Sequence, residues 1–182
     1  MTNEDTTHEL SDAQAGTLAA AALDEHLAQL TELLDRMPAS RYADPSIDHC
    51  FGSTIGGHFR HVLDHVRNLL ACEGAIDYEA RQRGSEIERS PYAARTAISE
   101  SRRALASRLI GTGERVTVST LVLQSKTSLR AESTFERELM YVVDHTVHHL
   151  AMVRMMLARV GVDCPAEVGV ASGTPMEARC AR

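Results

Sequence analysis

Residues 135–161 read FERELMYVVDHTVHHLAMVRMMLARVG. Ser133-Thr134-Phe135-Glu136 fits a capping box at the front, and Val160-Gly161 supplies a glycine stop behind. The stretch therefore predicts one long helix. At ~100° per residue with His145 at zero, Met156 falls about 20° away, His149 about 40°, and Phe135, Val142 and Val153 roughly 60–80°. His145 and His149 thus lie inside the apolar stripe, where a Leu or Val is expected. As an i, i+4 pair they stack on one face with Cβ atoms roughly 6 Å apart. That spacing lets two imidazoles reach one metal ion at about 2.1 Å. His148 falls on the rim of the stripe and Asp144 points outward.

A second histidine window lies upstream. Residues 53–66 read STIGGHFRHVLDHV. Ser53 reads as an N-cap, and a helix is expected to about Glu73 with Ile55, Phe59, Val62, Val66 and Leu69 as its apolar positions. His58, His61 and His65 follow i, i+3, i+7 and share a face that borders this stripe. Phase sets His58 and His65 slightly nearer the stripe than His61, and leaves open which of the three turns inward. Six of the nine histidines occupy these two windows, while His8, His26 and His49 stand apart. An imidazole buried without partners costs a few kcal/mol. Two in one stripe, facing a second cluster on another helix, predict a metal site. Three histidines with an open coordination position match a catalytic site rather than a closed structural one.

Two more helical patterns complete the chain. Leu23, Leu27, Leu30, Leu34 and Met37 make one stripe in a helix from about Ser11 to Met37. Ser90-Pro91 reads as N-cap plus first-turn proline of a helix running to about Ile110. A loop (Pro38 to Gly52) and a polar connection (Asp77 to Arg89) separate these elements. Val116, Val118 and Val122 mark a short strand over Arg115 to Leu123, and Gln124 to Thr127 could turn it back into a second. The expected fold is all-α: a four-helix bundle with long connections and a short β-hairpin before the last helix. The expected organisation is a flexible N-terminus (1–10), the bundle (11–161) and an irregular tail (162–182).

Composition narrows the function. The 182 residues fit one domain, 43% hydrophobic and 24% charged, as in an ordinary globular protein. With 4% aromatics and no Trp, the core must come from Leu, Val, Ala and Met. A net charge of −6 argues against a nucleic-acid partner. No apolar run is long enough for a membrane span, and the polar start of the chain lacks a signal pattern, so a cytoplasmic protein without a membrane partner is expected. Cys50, Cys72, Cys164 and Cys180 form no C-x-x-C pair and read as reduced structural thiols. Lys126 is the only lysine among 19 basic residues, which points to a high-GC genome. Glu-x-x-His pairs, H-E-x-x-H, G-x-S-x-G and P-loop motifs are all absent.

Together, STIGGHFRHVLDHV and DHTVHHLAMVRMMLARVG resemble the DinB-like superfamily of metal-binding four-helix bundles, over roughly residues 11–161. In the family's H-x-x-H-H form the first and last histidines are ligands, which implies His145 and His149 here. The third ligand comes from a run like H-[VL]-x-D, best matched by His61 in HVLD. S-x-I-G-x-H-x-R-H followed by IDYEARQR is similar to a largely uncharacterised branch, which implies a pocket lined by Asp77, Tyr78, Arg81 and Arg83. His58 and His148 join that pocket. Many members carry H-H-R-G-Q where this chain has His148-His149-Leu150-Ala151-Met152. The triad is untouched by this departure, but no branch's substrate transfers.

The resemblance implies a divalent-metal enzyme, either a thiol-dependent S-transferase or a hydrolase, acting on a small electrophile as a homodimer. Its metal is expected to be Zn, Ni or Fe, with a low-molecular-weight thiol such as mycothiol as the transferase cofactor. The alternative is a non-catalytic metal- or ligand-binding bundle serving a stress response. Glu138, seven residues before His145, is a candidate general base or ligand-orienting group. Tyr141 could donate to a bound anion. His65 could be a fourth ligand or a proton carrier. Asp64 is expected either to bond an imidazole on a neighbouring helix or to face water. Met140, Met152, Met155 and Met156 are expected to fill the core or the pocket wall.

Overall fold

The computed structural model describes residues 11–47, 52–111, 113–122 and 127–174. The elements in chain order are α1 (Asp12–Arg36), α2 (Ala39–Tyr42), a 3-10 turn (Pro45–Ile47), α3 (Ile55–Leu70), β1 (Ala75–Asp77), α4 (Glu86–Arg89), α5 (Pro91–Ser107), β2 (Arg115–Leu121), β3 (Ser128–Thr134) and α6 (Phe135–Arg159). The four long helices are those expected, α1, α3 and α6 from their apolar stripes and α5 from its Ser90-Pro91 start. Helix α1 packs on α5 and α6, and α3 packs on the same two.

Local chemistry sets the helix ends. Ser11 and Gln14 form a reciprocal capping box on α1. Thr54, one residue later than expected, caps α3 through Gly57 N. Ser90 caps α5, with Pro91 in its first turn. The capping box expected at Ser133 and Glu136 does not form. Thr134 is the N-cap of α6 and accepts from Arg137 N at 3.3 Å, while Glu136 instead accepts from Gly113 N. Gly161, with φ +73, is the glycine stop that follows α6.

The stripes meet in one core. Leu23, Leu27, Leu30, Leu34 and Met37 of the first stripe are buried, as are Ile55, Phe59, Val62, Val66 and Leu69 of α3. Burying a Leu or Val stabilises by about 1.5–3 kcal/mol relative to leaving it in water. Met152 and Met156 join the core, but Met140 and Met155 are more than half exposed, so the methionine cluster divides between core and surface.

Two connections are more structured than expected. The loop after α1 folds into α2 and the 3-10 turn because Tyr42 and Ile47 are buried, and Tyr42 donates to Ile87 O at 2.7 Å. The sheet is not a simple hairpin. β2 and β3 pair antiparallel as expected, but β1 adds a parallel strand beside β2, with Ile76 opposite Val118. The all-α expectation is corrected to a mostly helical chain carrying a three-stranded sheet. β1 has three residues and one buried side chain, Ile76, which is too little for a two-residue period to register. The turn residues 124–126, the N-terminal ten, Cys50, Cys180 and the tail beyond 174 lie outside the described residues. The described part of the tail is irregular but docked: Val168 is fully buried and Arg154 donates to Ala166 O and Val168 O.

Candidate metal centre

Helices α3 and α6 bring the two histidine windows face to face. His58, His65 and His149 are buried, His61 and His145 are half-buried, and His148 is exposed. These burials follow the helical phase of both windows, including the rim position of His148 and the outward Asp144. One ligand nitrogen from each of His61, His65 and His145 can be chosen so that all lie within 4.8 Å of one another, an arrangement that could hold a metal ion. His61 Nε2 and His145 Nε2 are 3.0 Å apart. Two nitrogens on a tetrahedral zinc ion stand about 3.4 Å apart, so the His61–His145 pair would open by a few tenths of an ångström around one.

The ring tautomers are partly fixed. His65 Nδ1 lies 3.0 Å from the carbonyl oxygen of His61. A carbonyl only accepts, so Nδ1 carries the proton and Nε2 carries the lone pair a metal requires. His149 Nδ1 meets His58 Nδ1 at 2.9 Å, and the His149 ring centroid stands 4.6 Å from those of both His61 and His145. His149 is therefore beside the convergent three, with its Nδ1 engaged by His58. The ring of His65 stacks on that of His145 at 4.1 Å.

Electrostatics favour the neutral, ligating form. Burial, followed by repulsion from neighbouring imidazoles, pushes His61 and His145 down to about 3 and His149 down to about 2. Burial also lowers His65, against an opposing pull from its bond to the His61 carbonyl. No proton has to be displaced from such rings near neutral pH before a cation binds.

Two tyrosines and one glutamate border the imidazoles. Tyr78 lies flat on His65, 5.0 Å away at 11°. Tyr141 stacks beside His145 at 5.7 Å and stands 5.2 Å from Tyr78. Burial raises both phenols above their usual range. Glu138 is buried one layer behind. It accepts from Tyr78 Oη at 3.1 Å, Ser133 Oγ at 2.7 Å and Arg137 Nη1 at 2.8 Å. None of these partners is an imidazole, and its link to the histidines runs through Tyr78.

The remaining expected residues fall as follows. Asp64 neither bonds an imidazole nor faces water. It is buried, paired with Arg60 at 2.8 Å, and accepts from Gln82 N. Asp77 is exposed and contributes its carbonyl to Asn68. Arg81 pairs with Glu79 at 3.1 Å, and its charge reaches His61, His65 and His145. Arg83 is exposed. Arg60, Asn68, Glu88 and Ser133 support the site and were not anticipated. Arg60 reaches Glu88 across 28 residues and Asn68 reaches the backbone of Asp77 and Ala80, which no local pattern encodes, whereas Arg60–Asp64 and Ser133–Glu138 are near neighbours in sequence. Two surface grooves, about 250 Å³ between α3 and α5 and about 340 Å³ between α1 and α6, lie away from the histidines.

No family model, no curated protein and no solved structure matches the chain. Cys72 and Cys164 are free thiols, as expected.

Proposed function

We propose that this chain is a DinB-like metal-binding protein. In this account α1, α3, α5 and α6 form a four-helix bundle whose facing histidines hold one divalent ion (Zn, Ni or Fe). The protein works as an S-transferase or hydrolase on a small electrophile. The observation that carries the proposal is the convergence of His61, His65 and His145 from two helices, with neutral imidazoles as the only donors in the group. His149 is proposed as a further ligand, held by its bond to His58.

Bound there, a divalent cation stabilises an anion, thiolate or hydroxide, that is sparsely populated at neutral pH. The chain's own groups prepare the place. Tyr141 and Tyr78 stay protonated because burial raises them, so Tyr78 keeps the O–H it donates to Glu138 and Tyr141 keeps one to donate to a bound anion. Glu138 fixes Tyr78, and the Tyr78 ring fixes the plane of His65. Glu138 is thus a positioning residue in this account. A low-molecular-weight thiol such as mycothiol is the proposed transferase cofactor. No described helix is long and apolar enough to cross a membrane, and we place the protein in the cytoplasm. A homodimer is part of the proposal, with the groove between α1 and α6 as its face, where Leu18 and Met140 are more than half exposed.

The test is turnover by protein loaded with Zn, Ni or Fe, offered small electrophiles with and without low-molecular-weight thiols. Product that requires both metal and thiol supports the transferase. Product without thiol selects the hydrolase. No turnover, with no exchangeable water on the metal, would replace the enzyme by a non-catalytic binding bundle.

A further inference from the structure

Strand β3 lies at an edge of the sheet, since the strand order is β1-β2-β3. Its seven residues, Ser128–Thr134, include no Lys, Pro or Gly. Backbone hydrogen bonds fix which of them face β2. Val122 N donates to Thr127 O at 3.0 Å, and Phe135 N donates to Glu114 O at 2.8 Å. Bonded residues alternate along an antiparallel pair. Leu129, Ala131 and Ser133 therefore turn their N–H and C=O toward β2, whereas Ser128, Arg130 and Glu132 turn theirs outward. Among the described residues no strand pairs with that outer edge, and residues 128–132 are exposed.

Edge strands are commonly blunted by lysines, proline or a bulge, and β3 has none of these. Its two charges are of opposite sign and two residues apart, so Arg130 and Glu132 share one face of the sheet. Each meets a hydroxyl of β2. Arg130 Nε donates to Ser119 Oγ at 3.4 Å, and Glu132 Oε1 accepts from Thr117 Oγ1 at 3.2 Å. Neither belongs to an ion pair among the described residues. A second β3, run antiparallel with Ala131 opposite Ala131, sets Arg130 opposite Glu132 on both sides of the two-fold axis. In that register their outward N–H and C=O groups meet as hydrogen-bonded pairs. Leu129, 50% exposed, falls opposite Ser133. Moving one strand by two residues places Arg130 opposite Arg130, or Glu132 opposite Glu132, and like charges directly opposite are destabilising. Moving it by one sets outward groups against groups already bonded to β2. The charges thus select a single register, and it is self-complementary.

We propose that the outer edge of β3 is a self-association surface and that its partner is β3 of a second copy of this chain, the two sheets joining across a two-fold axis at Ala131. Strand pairing alone is a small contact, in the class below roughly 1,200 Å². The association is therefore weak, with a Kd on the order of 100 μM. It is separate from the groove between α1 and α6, and it requires neither metal nor turnover. Ser133 lies in this strand and donates to Glu138, so the contact adjoins the layer behind the histidines.

The test is sedimentation velocity of full-length protein at low salt, over concentrations of roughly 10–300 μM. Every chain carries Leu18→Glu, so that the groove between α1 and α6 does not contribute, and the chain with that substitution alone is the parent. Arg130→Glu leaves only acidic charge on the β3 edge, and Glu132→Arg leaves only basic charge. Both positions are exposed, and far-UV circular dichroism checks the fold of each variant. The expected result is reversible dimerisation of the parent, weakened by salt and at least roughly tenfold weaker in each single variant. An equimolar mixture of the two variants regains it, because every cross-strand pair is then of opposite sign. The double variant, Arg130→Glu with Glu132→Arg, regains it alone. A parent that stays monomeric, single variants that associate as the parent does, or a mixture that stays monomeric would overturn the proposal.

Discussion

His65 and His149 exchange the places that sequence and resemblance assigned them. The motif implies His145 and His149 as ligands with His61 as the third, whereas the convergent group is His61, His65 and His145. Phase had set His65 nearer the apolar stripe than His61, and its burial agrees. What no pattern contained is the bond from His65 to the His61 carbonyl, which decides the tautomer. All four rings favour the neutral form, and this has a pH consequence for the metal-free protein. A histidine near 3 when folded and near 6.5 when unfolded binds fewer protons in the folded state. Stability contributed by the neutral rings is therefore fully present above about pH 6.5 and is lost as pH falls toward 3. Denaturant melts of the metal-free protein from pH 7 to 4 should show a falling midpoint, and His61→Gln should flatten the slope. An unchanged midpoint across that range would contradict the burial of neutral imidazoles. At Glu138, Gln keeps the shape but loses the charge that Tyr78, Ser133 and Arg137 share. Glu138→Gln should cost about 1–3 kcal/mol in a denaturant melt while leaving metal content unchanged. Loss of metal in that variant would make Glu138 a ligand rather than a positioning residue.

At the scale of elements, α1, α3 and α6 were legible because each carries a sustained apolar period, and α5 because Ser90-Pro91 marks its start. The strap from β1 to α4 was not, because it is specified by distant partners: Asp64, Asn68 and the backbone of β2. Gly56 shows how close this packing is. A Cβ there would meet Glu88 O at 2.1 Å and the Tyr42 ring at 2.7 Å. Gly56→Ala must push α4 off α3, and a loss of about 1–3 kcal/mol is expected from such overpacking. Asp64→Ala leaves Arg60 with one carboxylate where it had two, and frees Gln82 N. Hydrogen exchange across residues 78–89 should accelerate in both variants, while protection in the second half of α6 stays high. Uniform loss of protection throughout the chain would show that the strap is not a separable unit.

For the whole molecule, the described residues share a hydrophobic core cluster, and composition gave no sign of the sheet. The tail was legible only as irregular, because its attachment depends on tertiary contacts: buried Val168, the Arg154 bonds to Ala166 O and Val168 O, and a close approach at Gly169. Gly169 has φ +69, and a Cβ there would lie 2.3 Å from Ala151 N, so Gly169→Ala should release Val168 from α6 and expose residues 162–174 to proteolysis. Light scattering should report a dimer, and Leu18→Glu, on the apolar face of α1, should return a monomer. A monomeric native protein would end the dimer proposal. The central claim is that the facing histidines of α3 and α6 hold a divalent ion. Its most direct test is elemental mass spectrometry of untagged, gently purified protein beside His61→Ala and His145→Ala. One divalent ion per chain in the native protein, lost in both variants, is the predicted result. A metal-free native protein that takes up no Zn, Ni or Fe would contradict it.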